Sequence, residues 1–370
     1  MNPGRIAATL LPLALAGVFA LLALGGPGGG APPPATAAKP AETMLAMPAR
    51  LAPPKPVTAA IPPPAPPATA VPEPETAPVA ALPPPPMPPK RDQSSAQPLL
   101  PAPDPALVET GPQGPLPIIG RDGRQPWRVY GRPFDRADGR PRIALVISGL
   151  GLSGDATQAA IDSLPGAVTL AFDPYGQALG DWVNRARAAG HEVLLGLPME
   201  PVDYPRQDPG PYTLLTSLSP DENRERLDWV LSRVTGYVGV TTMMGSRFTT
   251  SQTNLLPVMD ELKKRGLMFV DGRASEQSVA GALAETMGVP RVIADDTIDA
   301  DTTRDAIDRH LASLETMAQQ DGRALGIGFA YPVTLERIAL WAKTLDQKGI
   351  ALAPASALPA LPGDAKGAAQ

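Results

Sequence analysis

Asp173, Glu200, Asp271, Asp295 and Asp296 each follow a short apolar run, as does Ser148. Carboxylates just past strand ends suit acid–base work or a hard cation such as Mg²⁺ or Ca²⁺. Asp173, Asp271 and Asp296 would be the three to converge on one, and Glu192 is grouped with Glu200 in the same set. Ser148 and Ser246 become nucleophiles only beside a base. The chain has just two histidines, and neither is placed to serve them. His191 opens an apolar run and reads as a core residue, while His310 lies in a helical stretch as a solvated or groove residue. Asp271 and Arg273, in "VDGRAS", suit a bidentate pair that orders a loop or meets a ligand. Arg247 joins Ser246 as a candidate contact. The run "IALVISGLGLSG" ends in Gly149-Leu-Gly151-Leu-Ser-Gly154, a literal G-x-G-x-x-G of the kind that cradles a dinucleotide phosphate.

The elements that must position these groups alternate steadily. Short apolar runs appear at 142–147, 168–172, 192–197, 237–241, 267–270, 291–294, 324–328 and 350–353. Amphipathic stretches of helical length stand at 177–189, 220–235, 254–265, 275–287, 302–320 and 334–348. Apolar runs without strict alternation suit parallel strands covered on both faces. The fold class is therefore α/β, and so many strand–helix units in one domain favour a (β/α) barrel over a doubly wound open sheet. In a barrel the residues past each strand share one mouth. The excursion at 198–219 lies on that side.

Composition divides the 370 residues unevenly. Between Pro27 and Pro117 lie 30 of the 49 prolines, a density that precludes ladders and helices. Ahead of it, Arg5 precedes an uncharged run from Ile6 to Leu24, long enough to span a bilayer as a helix, and the charge before the run keeps the N-terminus cytoplasmic. The expected order is a cytoplasmic N-terminus at 1–5, a membrane anchor or signal sequence at 6–25, and a disordered Pro/Ala-rich linker at 26–120. A lead-in at 121–140, a folded domain at 141–357 and a flexible tail at 358–370 complete it. The absence of cysteine removes disulfides and thiolate chemistry. A net charge of −5 argues against a nucleic-acid partner.

The order of "GHEVLLGLPMEP" (190–201), "LSPDENRERLDWVLSRVTGYVGV" (218–240), "MGSRFT" (244–249), "ELKKRGLMFVDGRAS" (261–275) and "IGFAYPVTL" (327–335) resembles that of divergent polysaccharide deacetylases. These are bacterial envelope proteins related to metal-dependent enzymes that remove N-acetyl groups from glycans. The resemblance covers roughly 141–357. It implies a deformed (β/α) barrel, a periplasmic location and a carbohydrate ligand. It also implies a divalent cation such as Zn²⁺, held by one aspartate and two histidines, with a second aspartate as base.

Those positions are occupied otherwise here. The paired aspartates fall on Ser148 and Gly149, the first histidine on Gly196, and the histidine of the Asn-His-Met-Gly-Ser motif on Met243, with Thr242 in the asparagine place. The late Gly-His-Pro motif reads Gly328-Phe329-Ala330. Asp271 and Arg273 match an aspartate and arginine of the family. With its ligands gone, no cofactor is expected, and the reading is a glycan-binding or scaffolding barrel that has lost deacetylation. Its partners would be peptidoglycan or another glycan, an envelope protein, and the inner membrane through residues 6–25. Two alternatives stand beside it. One is an active N-deacetylase with a remodelled carboxylate site that depends on Asp271 or Asp296; the other is a nicotinamide-binding fold built on the glycine string.

Overall fold

The computed structural model describes residues 97–359. The expected membrane segment, residues 26–96 of the expected linker and residues 360–370 of the expected tail lie outside the described residues. Among the described residues, no helix is long and apolar enough to cross a membrane.

The last part of the expected linker is folded. Strands β1 (Val108–Gly111) and β2 (Gly114–Pro117) form an antiparallel hairpin in which Val108 faces Pro117 and Thr110 faces Pro115. Both prolines stand at alternate ladder positions, so their missing N–H groups fall on the outer edge where none is needed. Leu107 and Leu116 are buried, and the Arg265 guanidinium donates to Pro117 O and Glu109 Oε1. Two apolar anchors and one arginine thus hold a segment whose proline content reads as linker. The short helix α1 (Pro126–Val129) follows, with Pro126 at its first turn, where a missing N–H costs nothing.

The main sheet is built from β3 (Arg142–Leu150), β4 (Thr169–Phe172), β5 (Val193–Met199), β6 (Gly239–Met244), β7 (Met268–Asp271), β8 (Arg291–Ile293), β9 (Asp296–Thr297), β10 (Arg323–Phe329) and β11 (Ala351–Ala353). All its pairings are parallel, in the order β8-β7-β6-β5-β4-β3-β10-β9, with β11 added against the start of β3. The two ends of that order are consecutive in the chain. Ala294 N donates to Asp271 O on β7, and Asp295 N then donates to Leu325 O on β10. Residues 291–297 therefore begin paired to one edge and finish paired to the other, which curls the sheet into a barrel and leaves its edges occupied.

Helices α2 (Gly154–Ser163), α3 (Leu179–Ala188), α4 (Pro220–Leu231), α5 (Gln252–Lys264), α6 (Ala280–Met287), α7 (Arg304–Asp321) and α8 (Pro332–Ala342) pack outside. The signals that start them are local. Ser219 and Glu222 form a reciprocal capping box ahead of α4, with Pro220 at the first position. The apolar residues of each strand then divide by face. Leu145, Ile147, Leu170, Phe172, Leu195, Leu197 and Phe269 belong to the cluster that meets the helices, whereas Ala144, Val146, Ala171, Leu194, Val270, Leu325 and Ile327 belong to the one inside.

The interior cluster continues into Leu107, Trp127, Tyr130, Ala355 and Leu358, which close the N-terminal end of the barrel as a floor. Buried Arg187 fastens the floor by donating to the carbonyls of Leu100, Tyr130 and Gly236. Glu192 lies in it as well. Because it precedes β5, it stands at the opposite end from Glu200, which corrects their grouping at the mouth. Its Oε1 accepts from Thr169 Oγ1 at 3.2 Å and Ser356 N at 3.1 Å, and its Oε2 from Arg132 N at 3.2 Å and Ser356 Oγ. His191 beside it is buried, Nδ1 at 2.8 Å from Val168 O, in line with the core reading.

Removing Glu192 leaves buried N–H donors without an acceptor, so Glu192→Ala should lower the unfolding free energy by about 2–4 kcal/mol in urea denaturation. Burial raises the Glu192 pKa above its ordinary 4.5 against the pull of its donors. The unfolded chain then ionises first, so this residue's contribution falls as pH rises from 4.5 through the raised value. Stability measured across that interval should slope downward more steeply for the wild type than for Glu192→Gln.

Candidate functional site

Parallel strands bring their C-terminal ends to one mouth, and the positions singled out by sequence fall there in two groups. The first is the set that would carry a metal and base. Ser148 is half-buried, opposite Phe329 in the β3–β10 register. Gly149 follows with φ of 76°, in the left-handed region that favours glycine, where the β3–β4 register shifts. A Cβ on Gly149 would lie 3.5 Å from Phe329 Cδ1. Gly196 has Met243 Sδ 3.8 Å from the place of its Cβ, and Phe329 is 43% exposed. A thioether, a phenyl ring and two glycines offer no hard oxygen or imidazole donor, and a lone Ser148 hydroxyl is a poor one. These residues do not fit a divalent cation.

The glycine string has a structural reason instead. A Cβ on Gly151, at φ of 93°, would come within 2.9 Å of Leu179 Cδ2. Its N–H donates to Thr157 Oγ1 on α2. The turn thus spends its close approach on Leu179 of α3 and its N–H on α2, rather than on a phosphate.

The second group is a fastening between two motifs. Glu200 is buried, and its Oε2 accepts from Thr216 N at 2.6 Å and Thr216 Oγ1 at 2.7 Å. Its Oε1 meets Arg247 Nη1 at 3.3 Å, and its carbonyl accepts from the N–H groups of Arg247 and Phe248. Ser246 Oγ accepts from Val202 N at 3.0 Å. A Cβ on Gly245 would press within 2.9 Å of Met199 Cβ. "LPMEP" and "MGSRFT" are therefore two halves of one joint that holds the 200–216 excursion against the loop after β6. Behind that excursion, Tyr212 stacks on Trp229 at 3.6 Å and its N–H donates to Tyr175 Oη.

The remaining acidic candidates are dispersed. Asp271 is buried, but it accepts from Arg273 N at 2.9 Å and Ser278 Oγ at 2.7 Å, and makes no ion pair with the Arg273 guanidinium. The expected bidentate pair is corrected to a backbone turn. The reason is geometric: with Arg273 at φ of 54°, the exposed side chain leaves the turn that its N–H closes. Asp295 Oδ2 accepts from Leu325 N, within the barrel seam. Asp296 Oδ2 lies 2.7 Å from His310 Nδ1 on α7, so the groove reading of His310 gains a partner. Asp173, Asp271 and Asp296 do not converge; among the described residues no three His, Asp or Glu side chains group as a metal site.

Asp173 is the carboxyl left at the mouth with one hydrogen bond, from Tyr175 N at 2.9 Å, and burial raises its pKa. Sequence reasoning missed Asp299, which follows β9. Its Oδ2 accepts from Phe329 N at 2.7 Å and Thr334 Oγ1 at 3.0 Å, while its buried Oδ1 has no hydrogen-bond partner among the described residues. Asp299 thus sets the backbone that presents Phe329. The crowded "DDTIDAD" carries no periodicity that would have separated it from its neighbours. Tyr331 was also missed; it lies 46% exposed, 6.0 Å from the Phe329 ring. Replacing Glu200 by Ala should free the 200–216 excursion from Thr216 and Arg247. The expected result is a loss of about 2–3 kcal/mol of stability and earlier proteolytic nicking within 202–212, checked by limited proteolysis with mass spectrometry.

The chain is 26% identical over 198 residues to uncharacterized protein YibQ of Escherichia coli (strain K12), covering 52% of this chain and 60% of that protein's length. An uncharacterized protein of Haemophilus influenzae is 26% identical over 196 residues, 52% of this chain and 68% of its own length. Among solved structures, the uncharacterized protein ATU2773 from Agrobacterium tumefaciens C58 is 40% identical, with a TM-score of 0.65 over 66% of this chain and 99% of that one. The family model described as divergent polysaccharide deacetylase matches residues 145–359. With a match over more than half its length, the chain belongs to the divergent polysaccharide deacetylase family.

Proposed function

We propose that the barrel mouth holds a glycan without hydrolysing it, and that the protein works in the periplasm on peptidoglycan or a related polysaccharide. Residues 6–25 would anchor it in the inner membrane, and an envelope protein would be its further partner. The observation that carries this reading is the replacement of the cation and base positions by Ser148, Gly149, Gly196, Met243 and Phe329. Amide hydrolysis without a Lewis acid or an activated water loses its main source of transition-state stabilisation.

What stands there instead favours binding. Five of the eight large apolar side chains exposed among the described residues occur where strands end at the mouth: Leu152, Val202, Met244, Phe329 and Tyr331. A pyranose ring offers an apolar face that packs on aromatic and aliphatic groups by dispersion, with hydroxyls left for a polar rim. Arg273 and Arg247, both exposed, would supply donors on that rim.

A second reading rests on Asp173. A buried carboxyl with a raised pKa in a mouth is the form a general acid or base takes, which supports a remodelled N-deacetylase. One experiment separates the two. The purified chain should bind isolated peptidoglycan, release no acetate from it, and lose about tenfold in affinity with Phe329→Ala. Acetate release that disappears with Asp173→Asn would overturn the non-catalytic reading in favour of the second.

A further inference from the structure

Among the described residues, left-handed backbone outside glycine is confined to the mouth side of the barrel. The three cases are Ala178 at φ of 49°, Met244 at 59° and Arg273 at 54°, at or past the ends of β4, β6 and β7. Arg273 is the least expected of them. Gly272 beside it has a φ outside that region and is glycine for lack of room, since a Cβ there would come within 2.7 Å of Thr242 Oγ1. The conformation that favours glycine falls one residue later, on an arginine.

Hydrogen bonds impose that conformation. Gly272 N donates to Thr242 Oγ1 at 2.8 Å and Arg273 N to Asp271 Oδ1 at 2.9 Å, while Ser278 Oγ donates to Asp271 Oδ2. A glycine at 273 would make the same bonds with less strain, so the turn itself gives no reason for an arginine. Its guanidinium is exposed and makes no ion pair or hydrogen bond among the described residues.

The surrounding charges supply a reason. The carboxyls of Asp173, Glu200, Asp271 and Asp299 are buried, and each accepts hydrogen bonds from within the protein. Asp295 and Asp296 lie level with the middle of β10, bonded to Leu325 N and His310. Exposed acids on the mouth side, such as Asp155, Asp203, Glu276 and Asp301, stand four or more residues past their strands. Arg247 and Arg273 are exposed only three and two residues past theirs, and Arg247 is shared with Glu200 at 3.3 Å. A Cβ on Gly272 would lie 3.6 Å from Ile327 Cδ1, two residues before Phe329 on β10. Arg273 is therefore an unpaired cation bordering an apolar mouth, in a chain of net charge −5.

We propose that Arg273 recognises a carboxylate on the glycan, so that the mouth takes an acidic polysaccharide in preference to a neutral one. A guanidinium fork matches the two oxygens of a carboxylate, and beside an apolar surface the pair is screened less than in open water. The carboxylate sits either on the sugar itself or on a peptide attached to it. This inference rests on the glycan reading and adds the charge of the ligand to it.

The test is a binding titration of the purified full chain on isolated peptidoglycan, native and with its carboxyl groups converted to amides. The wild type should bind native material about tenfold more tightly than amidated material. Arg273→Gln and Arg273→Gly should bind native material only as well as the wild type binds the amide, with Arg273→Lys between. Arg273→Gly should also unfold no earlier than the wild type on heating, because it relieves the turn. Equal binding of both forms by the wild type, or native binding by Arg273→Gln as tight as the wild type's, overturns the inference and leaves the glycan reading standing. So does unfolding of Arg273→Gly well below the wild type, since the arginine would then serve the fold. No binding of either form overturns the glycan reading and the inference with it. Competition assigns the source: displacement by an oligomer of alternating glucuronic acid and N-acetylglucosamine places the carboxylate on the sugar, and no displacement places it on the peptide.

Discussion

A carboxyl sealed from water must be met by donors, and Glu192 draws them from three distant parts of the chain: Arg132 in the lead-in, Thr169 at the start of β4 and Ser356 near the end of the described residues. Without those segments in place, the floor would hold an unpaired buried acid, at a cost of several kcal/mol. Tyr130 below the barrel and the segment at Leu100 are tied in separately, through the Arg187 guanidinium. The requirement also divides labour between the two ends. The floor joins an apolar cluster to satisfied polar groups, while the mouth is assembled by loops and is free to vary in chemistry.

Much of this architecture was legible because it rests on periodicity. Each of the eight apolar runs overlaps an observed strand, since residues buried on both faces of a parallel sheet must be apolar throughout. The hairpin at 108–117 was not legible, because its stability comes from long-range partners, Arg265 and the floor, that proline content conceals. Glu192 opens the 192–197 run, so chain order alone puts it at the N-terminal end of its strand, away from the mouth where the strands finish. Asp271 and Arg273 are two residues apart, and nothing in that spacing shows that the backbone N–H, not the guanidinium, takes the carboxylate. His310 and Asp296 meet because α7 folds back over β9.

The family motifs themselves change meaning once the structure is known. "LPMEP" and "MGSRFT" look like a catalytic signature because they flank the positions where a metal would sit. Their own side chains do something else. Glu200, Ser246, Arg247 and the close-packed Gly245 tie two loops together. That joint is needed whether or not a metal is bound, which accounts for its presence in a chain whose ligand positions have all changed.

The replacements at the mouth are also interlocked. A side chain at Gly149 would project toward the Phe329 ring, in a backbone conformation that costs any residue with a Cβ. A histidine at Gly196 would run toward the Met243 thioether, which occupies the place of the second imidazole. Each restored ligand would therefore meet an apolar group standing at the position of another. Steps back toward a metal site taken one at a time set a polar group against a ring or a sulfur, without the cation that would hold it. The apolar mouth is consequently a packing solution in its own right, held in place by Asp299 beneath Phe329 and by the Glu200 joint beside Met243.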